Sequence, residues 1–229
     1  LTKIREVIFN IMKRYYPAIF IMLFLAAGCS ENMSTETFDP SLPDLSGLKI
    51  AMVVAPDQFQ EAEFITSRDI LAGTKAEVIV TSLTEGVCQG MAGTTVDATA
   101  ALQAIKPDEF DGIVFIGGPG ATVFWEDETA HLLLTEFNQE NKLVAAICLA
   151  PVTLARAGIL NGVPATGWES EKASLEMFGA RYTGRNVERF GNIVTGSGPE
   201  AAEVFALELV DVLNRYNDKT QPEKNGSVP

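Results

Sequence analysis

Residues 143–151 read Leu-Val-Ala-Ala-Ile-Cys-Leu-Ala-Pro, and this stretch carries the strongest fold signal in the chain. Its five leading apolar residues are typical of a parallel strand that is buried on both faces. We predict that the strand ends at Cys148 and that a helix follows at once, over residues 149–157. A buried strand that turns directly into a helix is the basic unit of α/β proteins.

Apolar runs of the same kind alternate with helical patterns on both sides of this stretch. The predicted strands are residues 49–55, 76–83, 94–96, 112–116, 143–147 and 164–166, with a hairpin-like pair around 190–191. The predicted helices are residues 61–72, 98–105, 128–141, 149–157, 169–178 and 199–215. Strands that alternate with helices predict an α/β fold, with a mostly parallel sheet and helices on both faces.

The composition excludes several classes of protein. The 229 residues are 47% hydrophobic and carry a net charge of −13, so the chain can bury a sizeable core and is too apolar for a disordered acidic tail. An acidic surface repels phosphate backbones, so no nucleic-acid partner is expected. The chain has three cysteines without a Cys-x-x-Cys pair, and a single histidine, so we expect neither a disulfide scaffold nor a metal site.

The first 28 residues differ in composition from the rest of the chain. They carry four basic residues against one acidic residue, a balance of +3, and end in eleven uncharged residues at 18–28. That apolar run is shorter than the ~20 residues of a membrane-spanning helix and fits the hydrophobic region of an export signal. Residues 25–29, Leu-Ala-Ala-Gly-Cys, resemble a bacterial lipobox, in which the cysteine is lipidated before cleavage.

We therefore expect residues 1–28 to be a lipoprotein signal peptide, with an ordinary secretory signal or an uncleaved anchor as alternatives. Acyl chains on Cys29 would hold the protein at the cell envelope, on its periplasmic or outer surface, and this anchor is the only membrane contact expected. Polar residues and prolines predict a flexible tether over residues 29–47 and a disordered tail over residues 217–229. The globular domain is expected over residues 48–216.

Cys148 is the first of three groups of residues that follow predicted strands. In a parallel sheet the ligand site lies beyond the carboxyl ends of the strands, so residues at these ends are candidates for chemistry. A cysteine at a strand-turn-helix corner is exposed as a nucleophile would be, and the N–H groups that begin a helix stabilise a thiolate. The alternative interpretation is a buried structural cysteine.

The other two groups supply candidate N–H donors and carboxyl groups. Gly117-Gly-Pro-Gly120 follows the strand at 112–116, and its N–H groups can face an oxyanion, although a simple turn would also explain the glycines. Asp57, Glu61 and Glu63 follow the first strand. A protonated carboxyl group there could donate to a thiolate or shuttle a proton, but compensation of a helix dipole explains Asp57 and Glu61 equally well. The residues alone do not choose between Glu61 and Glu63.

Seven motifs occur in an order that resembles the ThiJ/PfpI superfamily, whose fold is like that of class I glutamine amidotransferases. They are Glu61-Ala-Glu63, Val96-Asp97, Ile116-Gly-Gly118, Ala145-Ala-Ile-Cys148, Leu154-Ala-Arg-Ala-Gly158-Ile-Leu160, Pro164-Ala-Thr166 and Thr195-Gly-Ser-Gly-Pro199. The resemblance covers residues 48–214 and implies a flavodoxin-like three-layer sandwich that is usually a homodimer. It also implies that Cys148 is a reactive nucleophile, that Glu63 is the carboxyl group beside it, and that Gly118 and the Leu149 N–H form an oxyanion hole.

Two departures from the superfamily patterns narrow the expected activity. Protease-like members carry histidine directly after the cysteine, where this chain has Leu149, and no histidine follows His131. A PfpI-type cysteine peptidase or an amidotransferase is therefore disfavoured. The Cys–Glu pair resembles the branch with glyoxalase and deglycase activities, which implies a cofactor-independent enzyme acting on small reactive aldehydes. Ser197 stands where the family usually has arginine, which puts contacts to an anionic substrate group in doubt.

A non-catalytic redox sensor or chaperone-like stress protein, in which Cys148 oxidises to a sulfinate, is the competing hypothesis. A disulfide between Cys88 and Cys148 is a third hypothesis, and it would prevent Cys148 from acting either as a nucleophile or as a redox sensor. His131 lies in a predicted helix, so we expect it to be a surface or packing residue. Trp125 and Trp168 fall near predicted strand ends, but core packing is the commoner role and we leave both outside the catalytic set.

Overall fold

A seven-stranded sheet organises the computed structural model, which describes residues 42–220. The strands are β1 (Lys49–Val53), β2 (Asp57–Phe59), β3 (Glu77–Ser82), β4 (Gly86–Gly90), β5 (Thr95–Ala98), β6 (Ala100–Ala101), β7 (Gly112–Phe115), β8 (Leu143–Ile147), β9 (Pro164–Ala165), β10 (Arg181–Tyr182), β11 (Val187–Phe190) and β12 (Ile193–Gly196). The helices are α1 (Glu61–Gly73), α2 (Glu128–Gln139), α3 (Pro151–Arg156), α4 (Lys172–Met177) and α5 (Ala202–Thr220).

The main sheet has the strand order β11-β12-β8-β7-β1-β3-β6. All neighbouring pairs are parallel except β11 and β12, which form an antiparallel hairpin. Every residue of β8 is fully buried, as the apolar run at its centre predicts. The carboxyl ends of β1, β7, β8 and β12 therefore lie side by side at one edge of the sheet.

Helices cover both faces of this sheet, because successive strand residues point to opposite sides. Phe115 of β7 joins one buried cluster with residues of α2 and α3, whereas the adjacent Val114 joins a second cluster with residues of α1 and α5. Leu149 packs against both clusters. The predicted α/β fold, with a mostly parallel sheet between two layers of helices, is confirmed.

The structure corrects the prediction of a helix over residues 98–105. Ala98 ends β5, which pairs with β4 in a separate three-stranded sheet, and Ala100 and Ala101 pair with the end of β3. Only Leu102–Ala104 is helical, as one 3-10 turn. Alanine favours helices weakly, and pairing with a strand edge outweighs that preference here. Asp57 also differs from its expected place near a helix start, because it lies in β2.

Three further helices differ from the prediction at their ends. α3 begins at Pro151, so a turn at residues 148–150 separates it from β8. The segment at 169–178 divides into a 3-10 turn, Glu169–Glu171, and α4. The last helix is preceded by a 3-10 turn over Pro199–Ala201 and continues to Thr220, so residues 217–220 of the predicted tail are helical.

The expected signal peptide over 1–28 and the lipidation site Cys29 lie outside the described residues, as do residues 30–41 and 221–229. The last part of the predicted tether is described, and it packs on the domain. Leu45 is fully buried, and its N–H donates to the carbonyl of Thr74 at 2.8 Å. None of the helices within residues 42–220 has the length and apolar character to span a membrane.

Candidate active site

Cys148 lies at the corner where β8 turns towards α3. Its φ is 65°, in the left-handed region that costs a side-chain-bearing residue about 1–2 kcal/mol. Two backbone hydrogen bonds hold this conformation: the Cys148 N–H donates to Gly196 O at 2.9 Å, and Cys148 O accepts from the Trp168 N–H at 2.8 Å. The residue is only 6% exposed, so the corner presents the thiol from a nearly buried position.

Glu63 brings a carboxyl group to the same place from the first turn of α1. The Gln60 side chain starts this helix by accepting from the Ala62 N–H at 2.6 Å. Glu63 is fully buried, its Oε2 accepts from the Gly117 N–H at 3.0 Å, and its Oε1 has no hydrogen-bond partner of regular geometry within residues 42–220. Burial raises the pKa of Glu63 to about 7, although the Gly117 N–H and the Cys148 thiol favour its charged form.

The structure separates the two glutamates that the sequence left as alternatives. Glu63 lies beside Cys148, whereas the Glu61 carboxylate accepts a short hydrogen bond from the Ala92 N–H, in the turn between β4 and β5. Glu61 thus holds a surface turn against α1.

Gly117 lies between the carboxyl group and the thiol. A Cβ atom at this position would lie 2.5 Å from Cys148 Cβ, 2.6 Å from Ile147 O and 2.7 Å from Glu63 Oε2. No side chain fits there, so the glycine lets the two reactive groups be neighbours. Gly117 belongs to the glycine run that the sequence predicts to supply N–H donors, and its N–H group donates to Glu63.

Two backbone N–H groups, those of Gly118 and Leu149, face the sulfur. They lower the pKa of Cys148, but burial and the nearby charge of Glu63 outweigh them and raise that pKa to about 12. These two N–H groups come from the loop after β7 and from the turn after Cys148, and α3 itself begins three residues after Cys148, at Pro151. Gly118 has a φ of 101°, and an added Cβ atom at this position would clash with the backbone of residues 58–60.

Glu63 and Cys148 titrate as a pair, because each alters the charge that the other can carry. Ionised Glu63 disfavours the thiolate, whereas protonated Glu63 removes that charge and leaves the Gly118 and Leu149 N–H groups to act on the sulfur. The arrangement can thus exchange one proton between a carboxyl group and a thiol. Acid–base assistance to a nucleophile needs such an exchange.

Trp125, which the sequence does not mark as a site residue, contacts the backbone of Leu149. Its indole N–H donates to Leu149 O at 3.2 Å, and its own carbonyl oxygen lies 2.9 Å from His131 Nε2. His131 therefore contacts the backbone of Trp125 and not the thiol of Cys148. Contacts of this kind join distant segments and leave no local pattern in the sequence.

Cys88 and Cys148 are both free thiols, and Cys88 is buried in β4. Within the part of the chain that the structure describes, no group of three or more histidine, cysteine, aspartate or glutamate side chains is placed to hold a metal ion.

Comparison with known proteins shows which family this chain resembles. The model of the DJ-1/PfpI family matches residues 48–212. An uncharacterised protein of Methanocaldococcus jannaschii is 32% identical over 210 residues, which cover 90% of this chain and 100% of the relative. A Pyrococcus abyssi protein named as a deglycase is 31% identical over 162 residues, which cover 71% of this chain and 98% of the relative.

A more distant relative and a solved structure agree with this match. A Caenorhabditis elegans protein named as a glutathione-independent glyoxalase is 27% identical over 177 residues, which cover 77% of this chain and 91% of the relative. The crystal structure of a ThiJ/PfpI domain protein from Brachyspira murdochii superposes with a TM-score of 0.71 at 30% identity, covering 73% of this chain and 96% of that one. The chain belongs to the DJ-1/PfpI family.

Proposed function

We propose that this protein is a cofactor-independent enzyme of the glyoxalase or deglycase type, which acts on small reactive aldehydes such as methylglyoxal. One observation carries the proposal: the buried Glu63 carboxyl group and the N–H groups of Gly118 and Leu149 all act on the sulfur of Cys148. Relatives named as deglycase and glyoxalase support it. The homodimer and the acylated Cys29 belong to the same proposal, as a dimeric enzyme held at the cell envelope.

The first step joins the sulfur to the aldehyde carbon. The Cys148 thiol gives its proton to the Glu63 carboxylate, and the thiolate then adds to the aldehyde carbon of methylglyoxal. A carbon–sulfur bond forms, and the π electron pair moves to the aldehyde oxygen, where the Gly118 and Leu149 N–H groups can donate to it. The proton on Glu63 then passes to that oxygen, which gives a hemithioacetal.

The second step moves a proton between neighbouring carbons. The Glu63 carboxylate removes the hydrogen from the carbon bound to sulfur and passes this proton to the ketone oxygen, so an enediol forms. Glu63 then takes the proton from the hydroxyl on the sulfur-bearing carbon and delivers it to the former ketone carbon, which leaves a carbonyl beside the sulfur and gives a thioester. Water then breaks the carbon–sulfur bond, which releases lactate and restores the Cys148 thiol. The sum is methylglyoxal plus water to lactate, with no external oxidant or reductant.

Replacing Cys148 with Ser is expected to reduce lactate formation from methylglyoxal to the uncatalysed rate. Glu63→Gln is expected to reduce kcat by about 10²–10⁴-fold, because a positioned acid–base group contributes roughly that factor. Both are measured as lactate released by purified protein. Cys88→Ser is the matched control, because it removes a buried thiol that lies in β4, in the separate three-stranded sheet. Equal rates in wild type, Cys148→Ser and Glu63→Gln would refute the proposal.

A redox sensor is the second candidate function. The two N–H groups at the sulfur and the Glu63 carboxyl group favour it, because the N–H groups, and the carboxyl group when it is protonated, can donate to the oxygens of a Cys148 sulfinate. If the protein is a sensor, intact-mass analysis after mild peroxide treatment shows a gain of two oxygen atoms that Cys148→Ser abolishes and Cys88→Ser keeps. Absence of this gain counts against a sensor, whatever the rate of lactate formation.

A further inference from the structure

The turn of the β4–β5 hairpin, residues 91–94, is held against the start of α1 by the side chain of Glu61. The Glu61 carboxylate accepts a hydrogen bond from the Ala92 N–H, in the middle of this turn. Gly90 leaves room for this contact, because an added Cβ atom there would lie 2.3 Å from Glu61 Oε1 and 2.5 Å from the carboxyl carbon. The carboxylate therefore packs tightly on the hairpin as well as accepting its hydrogen bond.

The same hairpin holds the chain segment around β2. The Gln89 N–H donates to Pro56 O at 3.0 Å, and the Met91 N–H donates to Phe59 O at 3.0 Å. Between these two points Gln58 has a φ of 56°, in the left-handed region that residues with a side chain seldom adopt. The Gln58 side chain is exposed, so the hydrogen bonds on either side of it hold this conformation.

On its other side, the segment around β2 lies against the glycine loop that follows β7. The Gln60 N–H donates to Gly117 O at 3.0 Å, and an added Cβ atom on Gly118 would lie 2.4 Å from Gln58 O. The two stretches of backbone are thus in direct contact. Because the Gly118 N–H is one of the two that act on the sulfur of Cys148, a shift of the segment around β2 also shifts this donor.

We infer that Glu61 is a positioning residue for the reactive thiol: it fixes the hairpin turn, the hairpin holds the segment around β2, and that segment keeps the Gly118 N–H within reach of the Cys148 sulfur. Each step is a hydrogen bond or a backbone contact. The role needs an acceptor oxygen and not a charge, so the amide oxygen of glutamine can fill it. The effect on turnover rests on the proposed function, whereas the effect on the thiol does not.

Alkylation of the full-length protein by iodoacetamide at pH 8 tests the inference, with mass spectrometry of the peptide that contains Cys148. We expect Glu61→Ala to slow alkylation of Cys148 about tenfold, since a hydrogen bond to a charged group is worth roughly that factor. Glu61→Gln should restore the wild-type rate, because it keeps the acceptor. Glu85→Ala is the matched control, since it removes an exposed carboxylate just before β4 and should leave the rate unchanged.

The lactate assay adds a second readout. Glu61→Ala should lower kcat about tenfold and change KM by less than about twofold, which is the pattern of a group that acts on the transition state. A purely structural role would instead lower the free energy of unfolding in urea and leave the alkylation rate of the folded protein unchanged.

Alkylation of Glu61→Ala at the wild-type rate or faster would overturn the inference. Equal slowing in Glu61→Ala and Glu61→Gln would overturn it too, because the charge and not the accepted hydrogen bond would then be responsible. Gly90→Ala is a second variant, which pushes the intact carboxylate out of the turn and decides the question if Glu61→Ala does not fold. It should also slow alkylation, and a wild-type rate would contradict the inference. Alkylation requires no turnover, so a failure here is distinct from a failure to form lactate.

Discussion

Glu63→Gln is expected to raise the free energy of unfolding at pH 8 by about 3 kcal/mol. The pKa of Glu63 is about 7 in the folded protein and near 4.5 in the unfolded chain, so the folded state binds more protons between these values. Proton binding by Glu63 therefore makes its full contribution to the free energy of unfolding below pH 4.5, and this contribution is lost as the pH rises through 7. Glutamine keeps the acceptor for the Gly117 N–H and never ionises, so the variant escapes this loss.

Urea unfolding at pH 5 and pH 8 measures the effect. The variant and the wild type should differ little at pH 5 and by the full amount at pH 8. Glu61→Gln is the matched control, since Glu61 lies in the same turn of α1 and accepts from the Ala92 N–H instead of facing the thiol. A difference between Glu63→Gln and wild type that is the same at both pH values would show that ionisation of Glu63 is not its cause.

Gly118→Ala is expected to lower the free energy of unfolding by about 3 kcal/mol or more. The Gly118 φ of 101° costs a residue with a Cβ atom about 1–2 kcal/mol, and that atom would lie 2.4 Å from Gln58 O and 2.7 Å from Gln60 N. Both contacts are with backbone, which cannot move aside as the end of a side chain can. Relief of the clash must shift the Gly118 backbone, which carries an N–H group that acts on the sulfur.

Gly93→Ala separates backbone strain from the clash, because Gly93 has a φ of 94° and open space around the position of a Cβ atom. It should cost only the strain of about 1–2 kcal/mol. The two variants are compared by urea unfolding, and the rate at which iodoacetamide alkylates Cys148 reports the position of the N–H group. Equal losses of stability in both variants would mean that the contact with residues 58–60 is unimportant.

The central strands could be predicted from the sequence because burial on both faces leaves an unbroken apolar run. β7 and β8 show this most clearly. The segment at 98–105 could not, because Ala100 and Ala101 are strand residues only through pairing with β3. Local preference has no access to a partner that lies about 20 residues away, and alanine-rich sequence then favours a helix.

The candidate site likewise contains some residues that the sequence locates and others that depend on contacts in the folded chain. Cys148 and Gly118 follow buried strands, so the rule on strand ends locates them. Glu61 and Glu63 are two residues apart on one helix, which turns their side chains about 200° from each other, and only the orientation of α1 decides which one meets the thiol. Gly117 acts through its close contacts with Cys148 and Glu63, and Trp125 acts through its hydrogen bond to Leu149 O, and only the folded chain shows these contacts.

Leu149 lies where the two buried clusters on opposite faces of the sheet meet, and its side chain packs against both. Leu149 acts on the sulfur through its main-chain N–H group, which nineteen of the twenty amino acids possess. The N–H donor at this position is therefore independent of the identity of the side chain, and the leucine side chain is free to pack between the two layers. A substitution at 149 therefore changes this packing and leaves the donor in place, unless the new residue is proline, which has no N–H group.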